Sequence, residues 1–338
     1  MDKKELTGIA QTWNEVEQLE QRETKPREHI NASDIGTSFL DRWYKMKGVQ
    51  PSNPYDARTL RVFGAGNTFE DLVIEVFAKA EVLIDTQGRV EIPATEKTLQ
   101  IVGHYDAKIG GFTNWEERKA IFQKRIGIEE RVLKEIEGIY GEQGLKVPIY
   151  HYRFSRYVRW QGEKILNGLA EKYPKGMPEP IIVEIKSINS NAFWNKKDYI
   201  GAGYPHHRLQ LLTYLKGMGL QKGILLYISK DDLSLEEGII EQGMENLEEE
   251  WKRDVEDFSA YWIFDKKPDP EPELIFDEKK GKNGLWAVNW KLGRSPYLTL
   301  ITGYKDQKEY EKKAKEKATP LNRKLGRQKR SETKLNNL

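Results

Sequence analysis

Residues 181–188, IIVEIKSI, carry an acid and a lysine one residue apart inside an apolar run. Successive strand side chains point to opposite faces, so Glu184 and Lys186 share one face while Ile181, Val183 and Ile185 share the other. Alone, the pair reads equally well as an ion pair on a half-exposed strand and as part of a site. Other segments supply groups of the same kind. LQIVGHYDAKI alternates as a strand and places Val102, His104, Asp106 and Lys108 on one face. GNTFEDLVIEVF carries Glu70 at helical periodicity, and YPHHRLQLLTYLKG carries Gln210 and Tyr214 four apart, hence on one helical face. Carboxylates from separate elements that converge beside a lysine form a donor set for a hard cation. Mg²⁺ prefers such oxygen ligands and keeps waters for a phosphate-bearing substrate.

The elements that must position these groups are legible from periodicity. Phe69, Leu72, Val73, Val76, Phe77 and Ala80 recur at helical spacing and predict a helix capped by Asn67 or Thr68. Ser33 or Asp34 is placed to cap a short helix through Tyr44. Pro205 falls in the first turn of a helix whose expected buried residues are Leu209, Leu212, Leu215 and Met218. GILLYISK reads as a strand, and Met244, Leu247, Trp251, Val255, Phe258 and Trp262 trace one stripe of a long helix. The expected organisation is a peripheral helical segment over 1–30, a core over 31–265 with a helical insertion at about 112–178, an extension over 266–304 that packs on the core, and a basic tail over 305–338.

Composition bounds the function classes. The 338 residues are 38% hydrophobic, 32% charged and 11% aromatic, which fits a folded chain with much solvated surface. The chain has no cysteine, so disulfides, thiolate zinc sites, cysteine-bound iron–sulfur clusters and thiol nucleophiles are excluded. No run has the length of a membrane span, and MDKKELTGIA lacks the apolar core of a secretory signal, so a cytoplasmic protein without a membrane partner is expected. Net charge is only +2, but Lys305–Leu338 holds twelve Lys or Arg against five Asp or Glu. That tail reads equally as a nucleic-acid arm and as a solvated terminus. The insertion contains YHYRFSRYVRW, where Arg153, Arg156, Arg159 and Trp160 interleave cations with aromatics. This pattern suits stacking along single-stranded nucleic acid and favours a DNA-gripping element over the site, with a hairpin of cross-strand aromatic pairs as the alternative.

The ordered set G-H-Y-D in a strand, V-E-I-K in a strand and Q-L-L-T-Y on a helix resembles the PD-(D/E)xK nuclease superfamily. The QxxxY spacing resembles its RecB-like exonuclease branch, which includes CRISPR-associated and phage nucleases. G-N-T-F-E and SDIGTSFLDRWYKMKG match that branch's helical motifs. The resemblance spans residues from about 33 to 230. It implies an α/β, restriction-endonuclease-like fold: a mixed β-sheet flanked by helices, with a helical insertion and a C-terminal extension. It further implies that Glu70, Asp106, Glu184 and the backbone carbonyl of Ile185 hold Mg²⁺ or Mn²⁺. Lys186 would orient or activate the attacking water, and Gln210 and Tyr214 would position the phosphate. The implied activity is metal-dependent hydrolysis of DNA, as an exonuclease on ends or single strands. A structure-selective endonuclease and a catalytically silent DNA-binding relative are the alternatives.

Three departures qualify the resemblance. Glu70 stands where many relatives have histidine, which makes the donor set all-oxygen. Ser38 and the segment VNWKLGRSPY stand near positions where several relatives place iron–sulfur cysteines, so packing must join those segments if they meet at all. Residues 112–178 separate Asp106 from Glu184. Among accessory groups, His104 and His206 are candidate substrate contacts, His207 is expected to face solvent, and Arg208 and Lys196 are possible phosphate contacts.

Overall fold

The computed structural model describes residues 9–19, 23–144, 146, 163–195, 203–277 and 284–335. The strands are β1 (Ile30–Asn31), β2 (Leu83–Ile92), β3 (Ile101–Ile109), β4 (Ile181–Ile188), β5 (Lys222–Ser229), β6 (Leu235–Glu241), β7 (Leu274–Asp277) and β8 (Leu285–Val288). Two compact units emerge. The first comprises 1–63, 93–101 and 252–338, and the second comprises 64–92 and 102–251.

The second unit holds a mixed sheet flanked by helices. β3, β4, β5 and β6 are neighbours in that order, and β2 pairs with β3. β3 runs antiparallel to β4 with Ala107 opposite Val183, β4 runs parallel to β5 with Lys186 opposite Tyr227, and β5 runs antiparallel to β6. A parallel pair needs a crossover, and here the Ser190–Asn195 and Pro205–Met218 helices lie between the two strands in sequence. Pro205 opens the longer helix, and Gly219 ends it in the left-handed conformation, φ 66°. Leu209, Leu212 and Leu215 are buried as expected, and so are Leu211, Thr213 and Tyr214, whereas Met218 is only half-buried. The helix is covered on more than one side. Gly217 lets it approach β2, since a Cβ there would meet Val90 at 2.3 Å. On another side Trp251 donates to the Thr213 hydroxyl at 2.8 Å.

The insertion between β3 and β4 is rooted in the core. Phe112 and Met177 exchange backbone hydrogen bonds of 3.0 and 2.9 Å across its neck. The Trp115–Glu142 helix starts at Asn114, whose side chain accepts from the Glu117 N–H at 3.1 Å. Phe112, Trp115, Phe122, Ile126 and Leu166 share one apolar cluster with Val73, Ala107, Val183 and Ile185. Only the far part of that helix leaves the core, as the exposure of Ile128, Val132 and Ile139 shows.

In the first unit, Ser38 caps the Phe39–Met46 helix, where Ser33 or Asp34 had been expected to do so. Arg42 of that helix is 1% exposed. Its guanidinium makes two 2.7 Å bonds to the Asp254 carboxylate and lies 5.0 and 5.3 Å from the ring centres of Phe39 and Phe258.

Without iron–sulfur cysteines, the C-terminal segment does return to this helix. Ser295 donates to Asp41 at 2.6 Å, the Tyr297 hydroxyl donates to the Val49 carbonyl at 3.0 Å, and Asn53 accepts from the Thr299 N–H at 2.7 Å. Tyr44 and Tyr297 pack with ring centres 5.1 Å apart. Hydrogen bonds and two aromatic rings thus join the segments. The basic tail is a helix, Gln307–Leu335, and its first half is not a loose terminus. Tyr310 and Ala314 are fully buried, and the Tyr310 hydroxyl lies 2.9 Å from the carbonyl oxygens of Glu273 and Asn289. No helix among the described residues is long and apolar enough to cross a membrane.

Asp41 marks a cost in this arrangement. Burial pushes its carboxyl up to about 6, although the Ser295 hydrogen bond pulls it down, while Glu271 and Asp34 add to the rise. A carboxyl raised in the folded state binds its proton more tightly there than in the unfolded chain. Its contribution to stability is therefore present at low pH and lost as pH rises from about 4 to about 6. Asp41→Asn keeps an acceptor for Ser295 and removes the charge. Urea denaturation should show the variant more stable than wild type at pH 8, by roughly 3 kcal/mol at most, with the difference vanishing near pH 4. Equal stability at both pH values would contradict this reading of Asp41.

Candidate active site

The three acids occupy three different elements of the second unit. Glu70 lies on the Ala57–Lys79 helix, which starts ten residues before the expected Asn67 or Thr68 cap. Asp56 begins it, accepting from the Thr59 N–H at 2.8 Å. Gly64 and Gly66 fall inside this helix, where each costs only about 1 kcal/mol. At Gly66 there is a positional reason for the missing side chain: a Cβ would lie 3.3 Å from the Ser187 hydroxyl of β4. The helix buries Val73 and packs Ile74 and Phe77 on the core, whereas Leu72 and Val76 of the expected stripe are exposed.

Asp106 sits at the point where β3 leaves β4. The paired register runs Ile109 opposite Ile181, Lys108 opposite Ile182 and Ala107 opposite Val183. The next step would set Asp106 opposite Glu184. There the Asp106 carboxylate takes the place of a ladder acceptor, with Oδ2 accepting the Ile185 N–H at 2.7 Å. A strand residue's N–H and C=O point to the same side, so the Ile185 carbonyl opens on the side where Asp106 lies. On β4, Glu184 is 1% exposed and its Oε1 accepts from the Lys186 ammonium at 2.6 Å. Oε2 of Glu184 is buried without a hydrogen-bond partner.

These groups act on one another electrostatically. Burial raises Glu184 to about 7; Lys186 pulls it down, and Asp106 and Glu70 push it up. Burial also raises Asp106, opposed by the Lys186 charge and the Ile185 N–H. Glu70 is raised by burial and by the Asp106 charge. For Lys186 burial disfavours the ammonium, but Glu184, Asp106 and Glu70 together outweigh it and hold the pKa above its ordinary value. Among the described residues the result is a patch with excess negative charge, one neighbouring ammonium and an unpartnered buried oxygen. Among the described residues, no group of three or more His, Asp or Glu side chains is already arranged to hold a metal ion. The donor chemistry nevertheless fits a hard cation: every donor is oxygen, and a buried oxygen without a partner gains most from one.

Gln210 and Tyr214 lie together on the Pro205–Met218 helix, the Gln210 amide donating to the Tyr214 hydroxyl at 2.9 Å. Burial first, and then the Glu184 charge, push the Tyr214 pKa upward, so its hydroxyl stays protonated.

The expectation that His207 faces solvent is not met. His207 is half-buried, and its Nδ1 lies 3.0 Å from the Tyr227 hydroxyl. That hydroxyl also accepts the Tyr204 N–H at 2.9 Å. Tyr227 stands beside Lys186 in the β4–β5 register. Burial lowers His207 well below its ordinary value, with His206 and Lys186 adding to the effect, so the ring is neutral. The rival candidate His206 is half-buried, its ring 4.1 Å from that of His207. His104 is exposed on β3, and Arg208 is half-buried. Arg153, Arg156, Arg159, Trp160 and Lys196 lie outside the described residues.

Sequence reasoning also passed over Gln87. Its side-chain amide donates to Oε1 of Glu70. The only signal was TQGR, a glycine inside a strand pattern.

No model of a known protein family and no curated protein matches the chain. Among solved structures, it is similar to LHK-Exo in complex with dAMP, at 13% identity and a TM-score of 0.39, covering 76% of this chain and 94% of that one. LHK-Exo is an alkaline exonuclease from Laribacter hongkongensis, and a second structure of it gives 12% identity and a TM-score of 0.36, covering 76% of this chain and 96% of that one. The structure of SSO0001 gives 14% identity and a TM-score of 0.38, covering 76% of this chain and 95% of that one.

Proposed function

We propose that the chain is a nuclease of the PD-(D/E)xK type, hydrolysing phosphodiester bonds of DNA at ends or in single strands with Mg²⁺ or Mn²⁺. One observation carries this reading. Asp106, Glu184 and Lys186 meet where β3 and β4 part, with Glu70 in their field and one oxygen of Glu184 left without a partner. Glu70, Asp106, Glu184 and the Ile185 carbonyl would hold the cation. When bound, a divalent cation neutralises charge that develops on phosphate oxygens and eases deprotonation of water.

The chain's own residues do the rest. Glu184 orients the Lys186 ammonium through its 2.6 Å bond, so a cation of fixed position meets the scissile phosphate and the attacking water. The carboxylates keep that lysine protonated, which suits electrostatic stabilisation rather than a free-amine base. Tyr214, held by Gln210, presents a hydroxyl near Glu184, and the neutral His207 hydrogen-bonds Tyr227, the neighbour of Lys186 on β5.

Among the described residues no three-carboxylate group is ready to hold a metal, which suits a second reading, a DNA-binding relative that has lost catalysis. A single assay separates the two. End-labelled linear and circular single-stranded DNA are incubated with Mg²⁺, Mn²⁺ or EDTA. Loss of linear DNA alone, abolished by EDTA, is the expected result for an exonuclease. Cutting of circles would move the assignment to an endonuclease, and binding without cutting under either metal would leave the silent relative.

A further inference from the structure

Gln87 occupies a backbone conformation that few residues adopt. Its φ is 51°, in the left-handed region that disfavours a β-carbon. It lies inside β2, where the backbone is otherwise extended. The bend is fixed on its far side by close packing. A Cβ on Gly88 would meet the Tyr105 hydroxyl at 2.1 Å, and that hydroxyl donates to Asp85 at 2.8 Å. Backbone strain of this kind persists only where surrounding structure over-determines it, and it concentrates at functional positions. Here the strained residue aims a side chain at the site: the Gln87 amide donates to Oε1 of Glu70 and also supports the charged Asp106 carboxylate.

Each of the three carboxylates thus has a donor. Glu184 has the Lys186 ammonium, Asp106 has the Ile185 N–H, and Glu70 has the Gln87 amide. The first two donors come from β4 itself. Gln87 is the only one on β2, and Glu70 lies on a helix whose side chain would otherwise be free to turn away. We propose that Gln87 is a positioning residue of the nuclease site: its amide holds Glu70 beside Asp106, so that the helix carboxylate is in place before the cation and the substrate arrive. This rests on the proposed nuclease reading. An uncharged amide suits the task, because it fixes a carboxylate without neutralising the charge that attracts a cation.

Gln87→Gly is the informative variant, since glycine accepts the left-handed backbone without strain and only the amide is lost. Mn²⁺ binding is followed by the loss of the free-ion electron paramagnetic resonance signal, with thermal unfolding as a control. The variant should unfold no earlier than wild type and bind Mn²⁺ about tenfold more weakly, within the range seen when a group orienting a metal ligand is removed. Gln87→Asn, whose amide is one carbon shorter, should not restore affinity. In protein labelled with ¹⁵N-glutamine and free of divalent cations, the Gln87 side-chain amide pair should be shifted from its solvent-exposed position, and Glu70→Ala should return it there. Mn²⁺ affinity equal to wild type in Gln87→Gly, or an amide pair indifferent to Glu70→Ala, would overturn the role of Gln87 while leaving the nuclease reading intact. Wild-type protein that binds no Mn²⁺ would overturn the nuclease reading, and the role of Gln87 with it.

Discussion

Lys186→Met abolishes strand cleavage and leaves DNA binding in place. The expected fall in kcat is at least about a thousandfold, the upper end of what loss of one preorganised electrostatic group costs. Among the described residues the ammonium is the cation that acts on all three carboxylates: burial opposes its charge, and Glu184, Asp106 and Glu70 sustain it. Methionine matches the length of the stem and removes only the charge and its donors. The substitution also strips Glu184 of its partner, and a carboxyl already raised to about 7 answers by taking a proton rather than by unfolding the strand. Cleavage of a labelled oligonucleotide and its retention on a filter, measured on the same preparation, separate the two functions. Cleavage within tenfold of wild type would remove Lys186 from the mechanism.

The second large effect belongs to stability. Asp254→Ala should lower the unfolding free energy by about 3–5 kcal/mol, because it leaves the buried Arg42 guanidinium without its carboxylate. Arg42 is held in place by the Thr37 carbonyl at 2.9 Å and by the rings of Phe39 and Phe258, so it has no ready route to water. Replacing both partners, Arg42→Met with Asp254→Leu, should recover most of the loss, since a buried ion pair exchanged for apolar side chains of similar size is often neutral. Urea denaturation of the two variants tests both statements. Equal stability of Asp254→Ala and wild type would show that the guanidinium reaches solvent.

Much of the candidate site's face was legible because strand and helix periods are simple. Alternation placed Glu184 with Lys186 and put Asp106 on a strand, and the spacing of four put Gln210 against Tyr214. These are local rules, and tertiary packing does not reverse them. What the sequence concealed depended on contacts between distant segments. The helix carrying Glu70 runs on through Gly64 and Gly66 because a glycine in a helix costs little and Gly66 passes close to Ser187. His207 turns inward because the Tyr227 hydroxyl, on β5, hydrogen-bonds its ring. Gln87 escaped notice because its role follows from a left-handed bend fixed by Tyr105, which no pattern of residue types announces. The return of the Ser295–Thr299 segment to the Phe39–Met46 helix rests on hydrogen bonds of Asp41 and Asn53 to residues 254 and 246 positions away, which no local pattern announces.

The nuclease account is tested most directly by diffraction from crystals soaked in Mn²⁺, with data collected near the manganese absorption edge. It predicts an anomalous peak bonded to oxygens of Asp106 and Glu184 and to the Ile185 carbonyl, and no peak there in Asp106→Asn crystals. Manganese bound only elsewhere on the protein, with those oxygens in place and accessible, would contradict it.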